Sequence, residues 1–208
     1  MRAPSFVIAG QPNEGKTTVA ATLIENDKAK RASLPRTTRK LLEYPVTVDN
    51  QVRFRIYDTP GFENPGELLE WFRTHSSRHE NPAKAFLAVQ SHKSDYPYDC
   101  EILKPIADGA AIIHVVNPAR PVDDVDRFEA ELFRLCGRPR IGLMNIRGGE
   151  TQHHGDWVNL MTKEVNTYLE FDACEAVFGD RVRLLESIAK VLPGWSSDLD
   201  NAIAALSE

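Results

Sequence analysis

The chain has 208 residues, 42% of them hydrophobic and 26% charged, with a formal net charge of −5. That length suits one α/β domain with a full core and excludes two large ones, and the acidic balance excludes nucleic-acid binding over the whole surface while leaving room for a local basic patch. Cys100, Cys136 and Cys174 lie far apart without a C-x-x-C spacing, so free thiols in a reducing compartment are expected rather than a disulfide or metal framework. No apolar run approaches the roughly 18 residues of a membrane span, and a core strand begins too early for a signal peptide, so the expected location is the cytoplasm.

In chain order, "SFVIAG" (5–10) reads as a short strand buried on both faces, as in a parallel sheet. The segment "GQPNEGKTT" (10–18) follows; Gly10, Pro12, Asn13 and Gly15 all favour turns, and the spacing is that of G-x-x-x-x-G-K-[ST]. "KTTVAATLIEN" (16–26) predicts a helix with Val19, Leu23 and Ile24 inward, and "DKAKRASLPRTTRK" (27–40), with six basic residues and little apolar periodicity, an exposed loop. "YPVTVDNQVRFRIYDTPG" (44–61) alternates on both sides of Asp49-Asn50, as a hairpin does, and ends at "DTPG". "GELLEWFRTHSS" (66–77) is an amphipathic helix, and 80–107 holds one or two helices, with "YPYDCEILKPI" leading into the next strand. Strands are expected at 109–117, 139–146 and 169–173, and helices at 122–137 (closed by Gly137), 155–168 and 180–194. The alternation predicts an α/β fold with a mixed, mostly parallel sheet of about six strands and helices on both faces. Beyond Pro193-Gly194, Ser197 and Asp200 have capping-box spacing for a last helix, which either packs back or leads onward.

A strand, a glycine-bounded loop and a helix in succession form a phosphate site. Backbone N–H groups of Asn13, Glu14, Gly15, Lys16 and Thr17, with Thr18 next to them, would face phosphate oxygens at a positive helix end. Lys16 would reach the terminal phosphates and the Thr17 hydroxyl would bind Mg²⁺. Asp58, closing the strand "RFRIYD", is placed to hold the metal's shell, and "DTPG" puts the Gly61 N–H where it can meet a γ-phosphate.

"GQPNEGKT", "PRTTR" and "DTPGF" together resemble the TrmE–Era–EngA group of GTPases. Over roughly 5–192 the chain more closely resembles a bacterial GTPase family in which this domain precedes a C-terminal domain of unknown function. The signs are "TTR", "YDTPG" before a leucine-rich helix, "CGRP" before a strand ending "LMN", and the "FD" of strand six. The resemblance implies a P-loop NTPase with a Ras-like G domain over 1–194, and a helical extension, or a linker to a missing domain, over 195–208. It implies Mg²⁺-dependent, K⁺-stimulated hydrolysis of GTP to GDP as a molecular switch. Lys16, Thr38 and Gly61 would be the catalytic groups; Thr38, with Thr37 as fallback, would ligate Mg²⁺ beside Thr17 and Asp58, and Asn13 would hold K⁺. A nucleotide-dependent homodimer, and a protein or ribosomal/RNA partner at loop 28–40, are implied partners.

Two departures stand out. Phe62 occupies the place of a water-orienting glutamine, and its ring cannot hydrogen-bond water, so slow intrinsic hydrolysis is expected; Glu63, Glu67 and Glu70 are nearby alternatives. GTPases usually read guanine with N-K-x-D, whereas this strand ends "MNIRGG": Asn145 is kept, Ile146 replaces the lysine and Gly148 the aspartate. Loss of that carboxylate removes a charge-assisted contact of about 1.5–3 kcal/mol. Asn145, Glu150 and the backbone near Ala173, in "FDAC" where relatives meet guanine O6, are the candidate compensation. Two rivals follow: a slow or inactive nucleotide-binding module that docks a partner, and an ATPase. Adjacent His153 and His154 read as an exposed loop rather than a metal site.

Overall fold

A computed structural model describes residues 3–24, 40–48, 50–90 and 95–206. Its strands are β1 (Ser5–Ala9), β2 (Leu42–Val48), β3 (Gln51–Asp58), β4 (Ala111–Val116), β5 (Arg140–Asn145) and β6 (Thr167–Phe171). They form one sheet in the order β2-β3-β1-β4-β5-β6, antiparallel between β2 and β3 and parallel elsewhere. The helices are α1 (Lys16–Leu23), α2 (Pro65–His75), α3 (Pro82–Gln90), α4 (Pro97–Ala107), α5 (Asp124–Leu135), α6 (His154–Glu164), α7 (Phe178–Val191) and α8 (Ser196–Leu206).

Alternation along β1 sets the layers. Phe6 and Ile8 point into one core with α1, α7 and α8, and Val7 and Ala9 into the other with α2, α4 and α5. A third cluster under α6 is built on Trp157, Met144 and Met161. The sequence expectation of a mixed six-stranded sheet covered on both faces therefore holds. At the hairpin, Asn50 takes φ +60°, which asparagine tolerates, and Pro45 sits in the edge strand, where its missing N–H does least harm.

The one or two helices expected in 80–107 are two, α3 and α4, the second opened by Pro97 in its first turn and carrying Pro105 inside, while two boundaries elsewhere differ from expectation. The last turn tolerates that proline, whose carbonyl accepts from Ala110 N–H at 3.0 Å. Thr167 and Tyr168 belong to β6, not to the preceding helix. The helix stops at Glu164, and Asn166 then bridges to Arg140, backbone to backbone at 3.0 Å and Oδ1 to N–H at 2.8 Å. The final helix begins at Ser196, directly after the 3₁₀ turn Pro193–Trp195, so Ser197 lies inside it rather than capping it. That helix lies against the sheet: Leu199 is buried in the first core, and the Trp195 ring meets Phe6 edge-on at 5.7 Å. Among the described residues no helix is long and apolar enough to cross a membrane.

Candidate functional site

The loop after β1 leaves the sheet between β3 and β4, where neighbouring parallel strands carry their connections apart and open a crevice. Positive φ at Gly10 (+142°), Asn13 (+68°) and Gly15 (+95°) curls the backbone into a nest before α1. Two glycines are obligatory there. A Cβ on Gly10 would lie 2.2 Å from Val115 O, and one on Gly15 2.3 Å from the Asn145 Nδ2. The N–H groups of the first turn of α1 have no partner within the helix, so this nest is suited to an anion.

Lys16 is buried beneath the loop, its Nζ donating to Gln11 O at 2.9 Å. Burial lowers its pKa, while the carboxylates of Glu129, Asp58 and Glu14 oppose the shift. The Thr17 hydroxyl donates to Asp58 Oδ2 at 2.8 Å across the gap between α1 and the end of β3. A hydroxyl and a carboxylate so close are hard oxygen donors of the kind Mg²⁺ takes, completed by phosphate and water oxygens, so the pair fits the metal. Gly61 packs on the loop: a Cβ there would come 2.8 Å from Pro12 Cδ. The Thr18 carbonyl accepts from Thr22 Oγ1, which also reaches Ala173 O, both at 2.9 Å.

The end of β5 is knitted to the nest. Asn145, fully buried, donates from Nδ2 to Glu14 O at 2.9 Å and accepts from Ala173 N–H on Oδ1 at 3.1 Å. With both functions engaged, it braces the two loops. Arg147 donates to Asn13 O at 2.7 Å. Gly148 N–H donates to Asp172 Oδ2 at 3.2 Å. Thus Asn13, Glu14, Gly15, Lys16, Thr17, Thr18, Asp58, Gly61, Asn145 and Ala173 converge on one crevice. Thr37 and Thr38 lie outside the described residues, as does loop 28–39. His154 pairs with Glu170 at 2.6 Å on the surface.

Several residues here give no sign in the local sequence. Arg120, on the connection after β4, grips Asp126 with two bonds and Glu14 with a third, each 2.6 Å, and lies 5.1 Å from the Trp157 ring. Gln11 of the loop also donates to Asp126, at 2.8 Å. Burial raises the Glu14 pKa, and Arg120 pulls it back. Below them His114 and Glu129 stand 3.8 Å apart, both buried. On the other side, Asp99 of α4 accepts from the N–H groups of Glu63 (3.0 Å) and Asn64 (3.4 Å), fixing the turn after Phe62. Arg120 and Asp126 are 6 residues apart, but the bonds that tie them to the loop and Asp99 to its turn span 35 to 115 residues, beyond any local pattern.

A model of the family described as 50S ribosome-binding GTPase matches residues 5–145. The tRNA modification GTPase MnmE of Chlorobaculum tepidum is 27% identical over 168 residues, which cover 76% of this chain and 35% of that protein. GTPase Der of Polaromonas naphthalenivorans is 27% identical over 147 residues, 68% of this chain and 32% of Der. The chain thus spans about a third of the length of these relatives. In fold it is similar to Aquifex aeolicus Era, solved with GDP and aluminium fluoride bound: TM-score 0.59 and 18% identity over 93% of this chain and 58% of Era. The match takes in the phosphate nest, the DTPG turn and the strand that ends at Asn145, and the chain is accordingly a P-loop GTPase-domain protein of the TrmE–Era–EngA kind, a member of the 50S ribosome-binding GTPase family.

Proposed function

We propose that this chain binds GTP and GDP in the nest 10–18 and hydrolyses GTP slowly, as a Mg²⁺-dependent, K⁺-stimulated molecular switch. The observation that carries this reading is the contact of the Thr17 hydroxyl with Asp58 at 2.8 Å, beside the buried Lys16. Lys16 would leave Gln11 O for the β–γ bridge and offset the negative charge that grows there. The nest amides would hold the same oxygens without reorganising. Mg²⁺, held by Thr17 and Asp58 with Thr38 as the further candidate ligand, would neutralise charge across the β- and γ-phosphates. Gly61 N–H would register whether a γ-phosphate is present, and Asn13, at the exposed turn of the loop, would offer its side-chain Oδ1 to K⁺, its backbone oxygen being engaged by Arg147.

Phe62 supports the slow rate. Its side chain is 8% exposed, with its ring 5.4 Å from Phe133, so the residue after Gly61 is committed to the core rather than to water. The same observation favours the second reading, a nucleotide-dependent docking module that hardly turns over. A homodimer and an RNA or protein partner at 28–40 belong to this proposal too; only Lys40 of that basic stretch is described.

Phosphate release from GTP under single-turnover conditions, in KCl and in NaCl, separates these readings. Release that is faster in KCl supports the switch, and equal rates remove K⁺. None over hours leaves the docking module. The Lys16→Ala variant should bind GDP at least about tenfold more weakly, and calorimetry of GDP against ADP tests the ATPase rival.

A further inference from the structure

The base end of the crevice has a gap in its sequence pattern, since Gly148 stands where N-K-x-D provides a carboxylate. We propose that Asp172, at the end of β6, supplies that carboxylate and sets the preference for guanine; this rests on the guanine-nucleotide reading above. β5 and β6 are paired with Asn145 opposite Phe171, and Ile146 N–H donates to Phe171 O at 2.9 Å. The segments 146–149 and 172–175 therefore leave the sheet side by side. Gly148 N–H then donates to Asp172 Oδ2, so the carboxylate from one loop lies against the residue of the other that lacks one.

Room is available at that point. A Cβ on Gly148 would meet nothing within 4 Å, and a cavity of about 320 Å³ lies between these loops and α7, lined among others by Ile146, Gly149, Asp172, Glu175, Asp180 and Arg183. The carboxylate is oriented in advance. Oδ1 accepts from Cys174 N–H at 2.9 Å and Glu175 N–H at 3.2 Å, which leaves Oδ2, with its one long bond, as the oxygen with capacity to accept. Guanine presents adjacent N–H donors at N1 and N2. Adenine presents a lone pair at N1, which a carboxylate repels. Glu150 is a poorer candidate: it is exposed, and it is its backbone N–H that is engaged, by Arg147 O at 3.2 Å. Arg147, through Asn13 O, fastens this loop to the phosphate nest, so base and phosphate ends share one frame.

The test is calorimetric titration of GDP, ADP and xanthosine diphosphate against the unaltered chain, Asp172→Ala, Asp172→Asn and Glu150→Ala. The unaltered chain should prefer GDP. Asp172→Ala should weaken GDP by about tenfold or more and leave ADP no weaker, since a charge-assisted bond to guanine and a repulsion of adenine are lost together. Asp172→Asn keeps the Oδ1 acceptor that the turn 172–175 needs, so it tests the idea even if the alanine variant folds poorly. It should weaken GDP and strengthen xanthosine diphosphate, whose C2 oxygen can accept from the amide. An unaltered chain that prefers GDP while both Asp172 variants keep its GDP-to-ADP ratio overturns this inference alone, as does loss of preference in Glu150→Ala instead. No preference in the unaltered chain overturns the guanine reading itself.

Discussion

A phosphate-binding loop that carries a buried carboxylate needs a cation close by, and Arg120 is that cation for Glu14. Glu14 Oε2 is buried with no hydrogen-bond partner among the described residues, so removing the guanidinium would strand the Glu14 carboxylate and leave Asp126 with only Gln11 and the Asp123 N–H. Arg120→Ala should cost about 3 kcal/mol in chemical denaturation, the low end for breaking a buried pair because Arg120 stays partly open to solvent. Arg120→Lys keeps the charge but not the fork and should fall between. Asp99 supplies a pH prediction. Burial raises its pKa above the ordinary carboxylate value despite the amides of Glu63 and Asn64. The folded chain therefore holds that proton more tightly, and stability from this group is lost as pH rises from the usual value through the raised one. The stability of the unaltered chain minus that of Asp99→Asn should fall with rising pH over that window, about pH 4 upward, and be flat above it. A difference that rises with pH would count against the assignment.

At the scale of elements, α2 and the turn before it are held by two kinds of contact of very unequal worth. On the surface Arg73 forms a two-bond pair with Glu131 of α5 (2.7 and 3.1 Å) and meets Glu70 (2.7 Å), while inside, Phe62 and Phe72 enter the second core. The exposed pair is screened by water and contributes little, whereas deleting a buried phenylalanine costs about 3–5 kcal/mol. Phe62→Ala should thus lower the unfolding free energy by several-fold more than Arg73→Ala does, measured by urea titration of both. Why some of this was legible in the sequence is now clear. Strands β1, β4 and β5 and the nest at 10–15 are specified by contiguous residues, whose apolar runs and turn formers act locally. The C-terminal end of α6 is decided by a partner, Arg140 for Asn166, and the limits of α4 by the second core that takes up Cys100, Ile102, Leu103 and Ile106, and no local pattern states either boundary. The same reason hid Arg120, Asp99 and Asp172: each acts on a backbone or side chain far along the chain.

For the whole molecule, the question is whether α8 belongs to the folding unit. The division at 194 rests on sequence alone, yet Leu199 is wholly buried and Trp195 abuts Phe6 of the central strand. Leu199→Ala should cost about 2–5 kcal/mol and shift one cooperative transition, with amides of 197–204 exchanging through the same opening as those of β1. If α8 were an appendage, its amides would exchange early and the substitution would leave the main transition in place. Binding should act on the same unit: GDP at 100 times its dissociation constant adds about 2.7 kcal/mol.

The three thiols differ sharply in reach. Burial pushes the Cys136 thiol up to about 12 and raises that of Cys100, whereas Cys174 is exposed, one residue past Ala173. An alkylating dye should therefore mark the folded chain at a single point on the rim of the crevice, giving a native-sequence optical gauge of occupancy. The slow uptake of two further equivalents would time the opening of the interior.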